Sequence, residues 1–339
     1  MRNATRIAFN AYMKAIENLN GVPDASTKFA VAPSVQQKLE SRIQASSQFL
    51  QRVNVVPVDE QSGDKVGLGI GQPIASTTDT TTKDRTPVDP TTLDDTGYMC
   101  TQTNFDTALR YSRLDAWAHF PDFQTRIRDA IVQRTALDRI CIGFNGTSRA
   151  ATSDRAANPL LQDVNVGWLQ KLRTTAADRV MQEGVAGSGK VKIGTGAGTD
   201  YKNLDALVYD ALQLLDEWYR DDPAVVVVLG GGLLHDKYFP LINGANVPTE
   251  MNALDMTISA KRVGGKQAVS APFFPANSLL ITRLDNLSLY YQNGARRRTI
   301  VDNAKRDQIE NYESSNEAYV VEDYGCAAAV ENIEIEPAA

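Results

Sequence analysis

The chain has 339 residues, a length typical of about two domains, or of one domain with long extensions. Hydrophobic residues make up 42% and charged residues 22%, which indicates a folded protein. Its formal net charge is −6, from 35 basic and 41 acidic residues, which argues against a protein that holds DNA or RNA by neutralising phosphates. The three cysteines form no CxxC pair, so neither a disulfide framework nor a zinc site is expected.

The sequence carries no membrane or secretion signal. No run approaches the roughly 18 apolar residues of a membrane span. Lys14 and Glu17 interrupt the N-terminal stretch where a signal peptide would be continuously apolar. We therefore expect synthesis inside the cell and no membrane partner.

The N-terminal region begins with a predicted helix. Its apolar residues recur at helical spacing up to Gly21 and Pro23: Ile7, Tyr12, Met13, Ile16 and Leu19. Residues 24–34 are mostly small and polar, which predicts an exposed hinge where a protease could enter. A second helical stretch, VQQKLESRIQASSQFLQRV, follows at residues 35–53.

Residues 62–97 differ in composition from the rest of the chain, because they are dense in glycine, proline and above all threonine. A connection of this length in a compact domain is usually a functional arm, a lid or a disordered linker. Since β-branched threonine favours extended backbone, we interpret the segment as a long two-stranded arm that needs a partner surface for stability.

Two helical patterns follow the arm. FPDFQTRIRDAIVQRTALDRICIGFNG has Pro121 at its first turn, apolar residues every three to four positions, and Gly143 and Gly146 at its end. This predicts an unusually long helix. LQDVNVGWLQKLRTTAADRVMQEG, at residues 161–184, also has a helical pattern.

The stretch GVAGSGKV, residues 184–191, resembles a phosphate-binding loop but has Val191 where a magnesium-binding hydroxyl is required. A phosphate loop leaves a buried strand and opens a helix, whereas here the predicted order is helix, glycine loop and short strand. The sequence favours a surface loop, with nucleotide binding through Gly189 and Lys190 as the alternative.

The remaining elements alternate between helix and strand. NLDALVYDALQLLDEWY predicts a helix capped by Asn203, and AVVVVLGGG predicts a buried strand before a glycine turn without GxGxxG spacing. Asn293-Gly294, between LSLYYQ and ARRRTIV, predicts a hairpin. YVVEDYGCAAAVENIEI predicts one or two further extended segments.

No catalytic arrangement is evident. His119 and His235 lie in no nucleophile motif, and Cys141 falls on the apolar face of its helix. The acidic doublets, such as Asp221-Asp222, are interpreted as solvated loop charge, because adjacent side chains do not converge on one site. Arg296, Arg297 and Arg298, at the predicted hairpin tip, favour an acidic partner protein over nucleic acid. A chain with long arms and no catalytic signature suits a protein that works by association.

Several segments also resemble one family. FNAYMKAIENLNGV, DFQTRIRDAIVQRTALDRICIGFNGTSRAATSDRAANPLLQDVNVGWLQKLR, DKYFP and NYESSNEAYVVEDYG look like the major capsid proteins of tailed phages related to phage P2. The resemblance runs nearly from end to end. It implies the α+β Hong Kong 97 capsid fold, with an N-terminal arm, an extended E-loop, a peripheral domain with a long spine helix, and an axial domain.

The resemblance also implies boundaries. Residues 1–29 would be a scaffold-associated leader, 30–61 the N-terminal arm and 62–112 the E-loop lying across a neighbouring subunit. The peripheral domain would take residues 113–199, with the spine helix from about Pro121 to Phe144, and residues 276–339. The axial domain would take 200–275. The position similar to the family's maturation cleavage lies between Phe29 and Ala30.

The implied function is self-assembly into the pentamers and hexamers of an icosahedral virion shell around double-stranded DNA, which a mildly acidic wall would not trap. Implied partners are further copies of the chain, a scaffolding protein, a maturation protease, a portal protein and the DNA, which is bound without sequence specificity. Assembly would take place in the host cytoplasm.

No enzyme activity, cofactor or metal is implied. Some proteins with this fold crosslink their E-loops through a lysine and an asparagine. Lys65 and Lys83 lie in the E-loop here, but no matching motif is present, so no crosslink is expected. The alternatives are the nucleotide-binding enzyme and a tail or baseplate structural protein. The candidate assembly-interface residues are Thr80, Lys83, Arg85, Arg296, Arg297 and Arg298.

Overall fold

The computed structural model describes residues 1–65, 75–87, 94–117, 123–234 and 261–336. Helices and strands both contribute, as the α+β prediction requires. The helices are α1 (Asn3–Asn20), α2 (Pro33–Ala45), α3 (Tyr111–Trp117), α4 (Phe123–Asn145), α5 (Trp168–Thr175), α6 (Leu204–Ala211) and α7 (Glu217–Arg220).

The strands come from every part of the described chain. In the N-terminal half they are β1 (Phe29–Ala30), β2 (Asn54–Val58), β3 (Ser62–Lys65), β4 (Asp94–Met99), β5 (Thr101–Asn104), β6 (Thr107–Arg110), β7 (Val180–Met181) and β8 (Val191–Ile193). In the C-terminal half they are β9 (Val225–Leu229), β10 (Arg262–Val263), β11 (Lys266–Ser270), β12 (Leu279–Arg283), β13 (Leu287–Gln292), β14 (Arg297–Asn303), β15 (Gln308–Val321), β16 (Ala327–Val330) and β17 (Ile333–Ile335).

The larger sheet has seven strands and is organised around β15, which has 14 residues. β14 pairs with the first half of β15 and β13 with its second half, both antiparallel. β6 and β5 pair with the opposite edge of β15. β1 and β2 extend the sheet beyond β14 and β13.

The predicted hairpin at Asn293-Gly294 is wrong. Gly294 makes a turn with φ +69°, but β13 and β14 do not pair with each other. Both lie end to end along one edge of β15, where Tyr291 pairs with Glu317 and Arg297 with Ser314. The Asn-Gly turn is therefore a bulge within one edge of the sheet, because a longer strand from elsewhere in the chain offers both segments a better partner.

The smaller sheet has six strands in the order β10-β11-β9-β12-β16-β7. Its central strand β9, predicted as a buried strand, is buried at all five positions. Val226 and Val228 face the core shared with the larger sheet, whereas Val225 and Val227 face a second core beneath α6. Because side chains alternate along a strand, an unbroken valine run is what a sheet covered on both faces requires.

The long predicted helix is α4, and it packs on α5 within the core that joins the two sheets. Gly143 lies inside α4 and does not end it. A Cβ atom at this position would lie 2.2 Å from Cζ3 of Trp168, so the absence of a side chain allows α5 to approach α4 closely. Pro121, His119 and His235 lie outside the described residues.

Two predicted helices are shorter than their apolar patterns. Within residues 161–184 the α-helix spans only Trp168–Thr175, and a short 3-10 helix follows at Ala177–Arg179. The α-helix cannot begin earlier because the chain at Gly167 passes so close to α4 that a Cβ atom there would lie 2.3 Å from the carbonyl oxygen of Ile142. The helix capped by Asn203, whose side chain accepts from the backbone N–H of Ala206 at 2.8 Å, is confirmed as α6 but breaks at Leu215.

Candidate processing site and assembly surfaces

The N-terminal segment, residues 1–31, packs against the larger sheet and α3. One face of α1 turns inward and meets apolar side chains of α3, β14 and β15; the buried members of this cluster include Phe9, Ile16, Leu114, Ile300 and Ile309. Ala25, Phe29 and Val31 are also buried. The prediction of an exposed hinge at residues 24–34 is therefore wrong in part, because Phe29 and Val31 alternate on extended backbone and both face the core.

The proposed cleavage position lies within β1, at the edge of the larger sheet. Phe29 is opposite Arg298 and Ala30 opposite Arg297, and the N–H of Val31 continues the pairing toward α2. The side chain of Phe29 is only 7% exposed. The bond is thus held in an extended conformation, with one edge of its strand already paired.

The three consecutive arginines have different environments. Arg296 is 2% exposed and pairs with Glu40 and Glu313. Arg298 is half-buried, and its guanidinium donates to the Tyr12 hydroxyl at 2.9 Å. Arg297 is half-buried and donates to the carbonyl of Gly294. The expectation of three available cations at a hairpin tip is corrected for Arg296, whose charge is satisfied inside the subunit.

Arg296 belongs to a buried ion-pair network that the sequence analysis missed. Arg139 of α4 contacts Glu40 of α2 at 2.6 Å and Glu317 of β15 at 2.6 Å. Arg296 contacts Glu40 at 2.5 Å and Glu313 of β15 at 2.6 Å. The network ties α2, α4, the start of β14 and β15 together in a region from which water is excluded.

The electrostatics of the network explain how it remains charged. Burial alone would raise the pKa of Glu40, but its ion pairs with Arg139 and Arg296 outweigh burial and hold that pKa below its ordinary value. Burial also acts to raise the pKa of Glu313, but Arg296 and Arg298 together outweigh it and lower that pKa. The only sequence signal was an acidic or basic residue on an otherwise buried helical face, as at Glu40 and Arg139, which predicts a buried partner without identifying it.

The threonine-rich arm begins with the β3–β4 pair, whose base is fixed by Lys65. The Lys65 ammonium group donates to the carbonyl of Val321 at 2.5 Å and lies over the ring of Tyr324, so this lysine is engaged within its own subunit. Residues 66–74 and 88–93 lie outside the described residues.

The described part of the arm, residues 75–87, is exposed throughout, including Thr80, Lys83 and Arg85. Asp79 organises a turn by accepting from the backbone N–H and hydroxyl of Thr81. The carbonyl of Asp79 accepts from the N–H of Lys83. Thr80, Lys83 and Arg85 are thus displayed to solvent, and their role as interface residues stays a prediction.

In the glycine loop, the backbone amides are bound by a carboxylate of the same chain. The backbone N–H groups of Gly187 and Gly189 donate to Oε2 of Glu183 at 2.9 and 3.1 Å, and the Lys190 ammonium group pairs with Glu334 at 3.1 Å. A carboxylate of the chain therefore occupies the position that a phosphate would need. β8 follows the loop in place of a helix, so the dipole that supports phosphate binding is missing at this point.

The described residues offer little for catalysis. Burial raises the pKa of Cys100, Cys141 and Cys326 to about 11 each, which leaves these thiols unreactive. Across the described ranges, no group of three or more histidine, cysteine or acidic side chains is arranged to hold a metal ion. The helices that the structure describes include none long and apolar enough to cross a membrane.

Comparison with known proteins agrees with the resemblance found in the sequence. The family model described as phage major capsid protein, P2 family, matches residues 8–333. The chain is 50% identical to the capsid proteins of Escherichia phage P2, with 99% of this chain and 96% of that protein aligned. It is 45% identical to the major capsid protein of Serratia phage KSP20, over 98% and 97% of the two chains.

A solved structure extends the agreement to three dimensions. A chain of the satellite phage P4 procapsid that includes the size determination (Sid) protein has 48% identity and a TM-score of 0.83, with 99% of each chain covered. The architecture, with its two large sheets and long helix, is therefore the Hong Kong 97-like fold of phage capsids. The chain belongs to the P2 family of phage major capsid proteins and is a shell-forming structural component of a virion.

Proposed function

We propose that the shell formed by this chain matures by removal of residues 1–29, through cleavage between Phe29 and Ala30. The leader would guide assembly together with a scaffolding protein, and the subunit of the mature shell would begin at Ala30. Assembly would take place in the host cytoplasm, with a portal protein at one vertex and double-stranded DNA packaged inside. We assign the chain no enzyme activity of its own.

One observation carries the processing proposal: the helices on either side of Phe29–Ala30, α1 and α2, are anchored differently. Upstream, α1 contacts the rest of the subunit through an apolar face and a few polar contacts near its start. Downstream, α2 is joined to the core by the buried carboxylate of Glu40. Removal of residues 1–29 would therefore leave the ion-pair network intact.

We also propose roles for the other regions. Residues 30–61 are the N-terminal arm, and 62–112 the E-loop. The peripheral domain takes 113–199 and 276–339, with α4 as its spine helix, and 200–275 is the axial domain. The boundaries at 200 and 275 pass through the six-stranded sheet, which also takes β7, β12 and β16 from the flanking ranges. This sheet is the better definition of the axial region.

Association in this scheme depends on many weak, identical contacts. Closed symmetry repeats each contact around every capsomer, so the shell gains stability from multiplicity. The net charge of −6 suits a wall that faces packaged DNA without binding it tightly. Thr80, Lys83 and Arg85 on the arm, with Arg297 and Arg298, remain the proposed interface residues.

The test combines negative-stain electron microscopy with intact-mass analysis. The chain is expressed with and without a scaffolding protein and protease, and the subunit mass of purified particles is measured. We expect closed shells and a subunit that begins at Ala30. A monodisperse small oligomer under every condition would refute shell formation, and a different N-terminus in mature particles would refute the processing site.

The glycine loop provides a separate check on the enzyme alternative. Because Glu183 occupies its amide groups and Glu334 pairs with Lys190, we expect Lys190→Ala to assemble normally. Neither the variant nor the parent should bind nucleotide in a calorimetric titration. Nucleotide affinity that disappears in Lys190→Ala would revive the alternative.

A further inference from the structure

We propose that α1 docks reversibly in an apolar groove of its own subunit, and that the docked leader protects the Phe29–Ala30 bond until it leaves the groove. The leader would then control the timing of its own removal, since undocking must precede cleavage. This inference rests on the proposed processing site and adds the step that limits access to it.

The groove is formed by two separate parts of the chain. Its walls are aliphatic side chains from β6, α3, α4, β14 and β15: Leu109, Leu114, Ile127, Ile131, Ile300 and Ile309. Phe9 of α1 packs against these side chains and is 8% exposed, and Tyr12, one helical turn further on, also lines the groove. As a large aromatic side chain buried among aliphatic ones, Phe9 contributes to the docking free energy of α1 together with Ile16, which is 5% exposed.

The polar contacts of α1 lie near its start and at Tyr12, whose hydroxyl accepts from Arg298 at 2.9 Å. The backbone N–H of Arg2 and the hydroxyl of Thr5 both donate to Asp115 of α3, at 2.9 and 2.6 Å. Arg6 pairs with Asp302 of β14 at a partly exposed position. Solvent-accessible ion pairs contribute little net stability, so the Arg6–Asp302 pair orients the helix but adds little to its docking free energy.

The docked state is incompatible with cleavage at Phe29–Ala30. A protease must take an extended segment into its active site, with the Phe29 side chain in its specificity pocket. In the subunit this side chain is buried beside Ile300, and the carbonyl of Ala25 accepts from the N–H of Ile300 at 3.1 Å. Cleavage therefore requires a local opening that separates β1 from β14.

This opening can stay local. β1 is joined to β14 by two residue pairs and by the hydrogen bonds from the N–H of Val31 to Arg296 and from the N–H of Ile300 to Ala25, so opening breaks few backbone contacts. Beyond Val31 the chain enters α2, and the buried pairs of Glu40 with Arg139 and Arg296 hold it in place. Proteolysis of such a segment follows the population of the open form when opening and closing are fast.

The test uses chymotrypsin, which accepts large apolar side chains in its specificity pocket, as a probe on the full-length chain. The initial rate at which the 30–339 fragment appears is measured by intact mass. Phe9→Ala removes a large buried side chain by which α1 packs against the groove, and we expect it to raise this rate at least about tenfold, because Phe→Ala at a buried site is strongly destabilising. Ile7→Ala is the matched control, since Ile7 lies on the same helix but is 71% exposed.

A second variant guards against loss of folding in Phe9→Ala. Asp115→Asn removes the charge that orients the start of α1 without touching the core, and should raise the rate by a smaller factor, roughly two- to fivefold. Equal rates in the parent and Phe9→Ala would overturn the proposal, as would a similar rise in Ile7→Ala or at bonds throughout the chain. A mature subunit that begins elsewhere would instead refute the processing site, and the chymotrypsin result would still report on docking.

Discussion

At the scale of single residues, the buried network of Glu40, Arg139, Arg296, Glu313 and Glu317 is the feature most sensitive to substitution. Removing charges from water costs free energy that is recovered only when each buried charge retains its partners. The guanidinium of Arg139 donates to both carboxylate oxygens of Glu40, and that of Arg296 donates to one of them. The network is thus a set of mutually dependent contacts in which loss of one member leaves another uncompensated.

Arg139→Met should destabilise the subunit by about 3–5 kcal/mol, because it leaves Glu40 and Glu317 buried with fewer partners. The free energy of unfolding of the unassembled subunit, from urea titration, measures the effect. Arg134→Met on the same helix breaks the exposed pair with Asp138 and should cost less than about 1 kcal/mol. Equal losses in the two variants would contradict the importance of the buried network.

The network also predicts a pH dependence. The folded-state pKa of Glu40 lies below its ordinary value of 4.5, so the stability from its ion pairs is present above about that pH and is lost as the pH falls through the folded pKa. We expect the free energy of unfolding to fall on acidification, and to fall less steeply in Glu40→Gln, which has no carboxylate to protonate. Parallel pH profiles for the parent and the variant would show that another group is responsible.

At the scale of elements, the described part of the threonine-rich arm and α4 differ in burial: α4 packs within its own subunit, whereas residues 75–87 of the arm are exposed. α4 is stabilised within its own subunit, by packing against α5 and α2 in the core that joins the sheets. Residues 75–87 are exposed, and the hydrogen bonds of Asp79 remain within the arm. An arm that buries so little against its own subunit is suited to gain its contacts from a neighbour.

Deletion of residues 75–92 should therefore leave a soluble, folded subunit that does not form stable shells. The described part of this range has exposed side chains, so its loss should change the unfolding free energy of the subunit by less than about 1 kcal/mol. Circular dichroism measures folding and electron microscopy measures assembly. Normal shells from the deletion would refute the arm assignment, and residues 88–92 lie outside the described part of the chain.

At the scale of the whole molecule, the chain carries a formal net charge of −6 and belongs to a family of proteins that form shells. Free energy of association in a closed shell is distributed over repeated interfaces, so each subunit is held by several neighbours at once. Binding that occurs only in the folded state raises the apparent stability of the fold. The assembled and unassembled forms should consequently differ in thermal stability.

We expect subunits in shells to unfold several degrees above free subunits of the same sequence, because unfolding in the shell also breaks the contacts with neighbours. Differential scanning calorimetry on both forms, at matched protein concentration, measures the difference. The 75–92 deletion serves as the control, since it should show only the transition of the free subunit. Coincident transitions for shells and free subunits would contradict stabilisation by assembly.

Patterns local in the chain were reliable guides to its elements. The spacing of apolar residues predicted α1 and α4, the valine run predicted β9, and Asn203 was identified as a helix cap. The long quoted segments also carried enough information for the family, which matches residues 8–333. Each of these signals depends on neighbouring residues or on similarity along the chain, which a sequence displays directly.

Only the tertiary structure revealed which distant residues come together. The Asn293-Gly294 turn has the composition of a hairpin, yet β13 and β14 share an edge of β15 because that strand pairs with both. Arg296 looked like part of an exposed cluster until Glu40, which precedes it by 256 residues, was found beside it. The sequence by itself determined the family, the helical and strand periods and the loop composition. The strand partners, the charge network and the burial of Phe29 were decided by packing, because they depend on contacts between segments far apart in the chain.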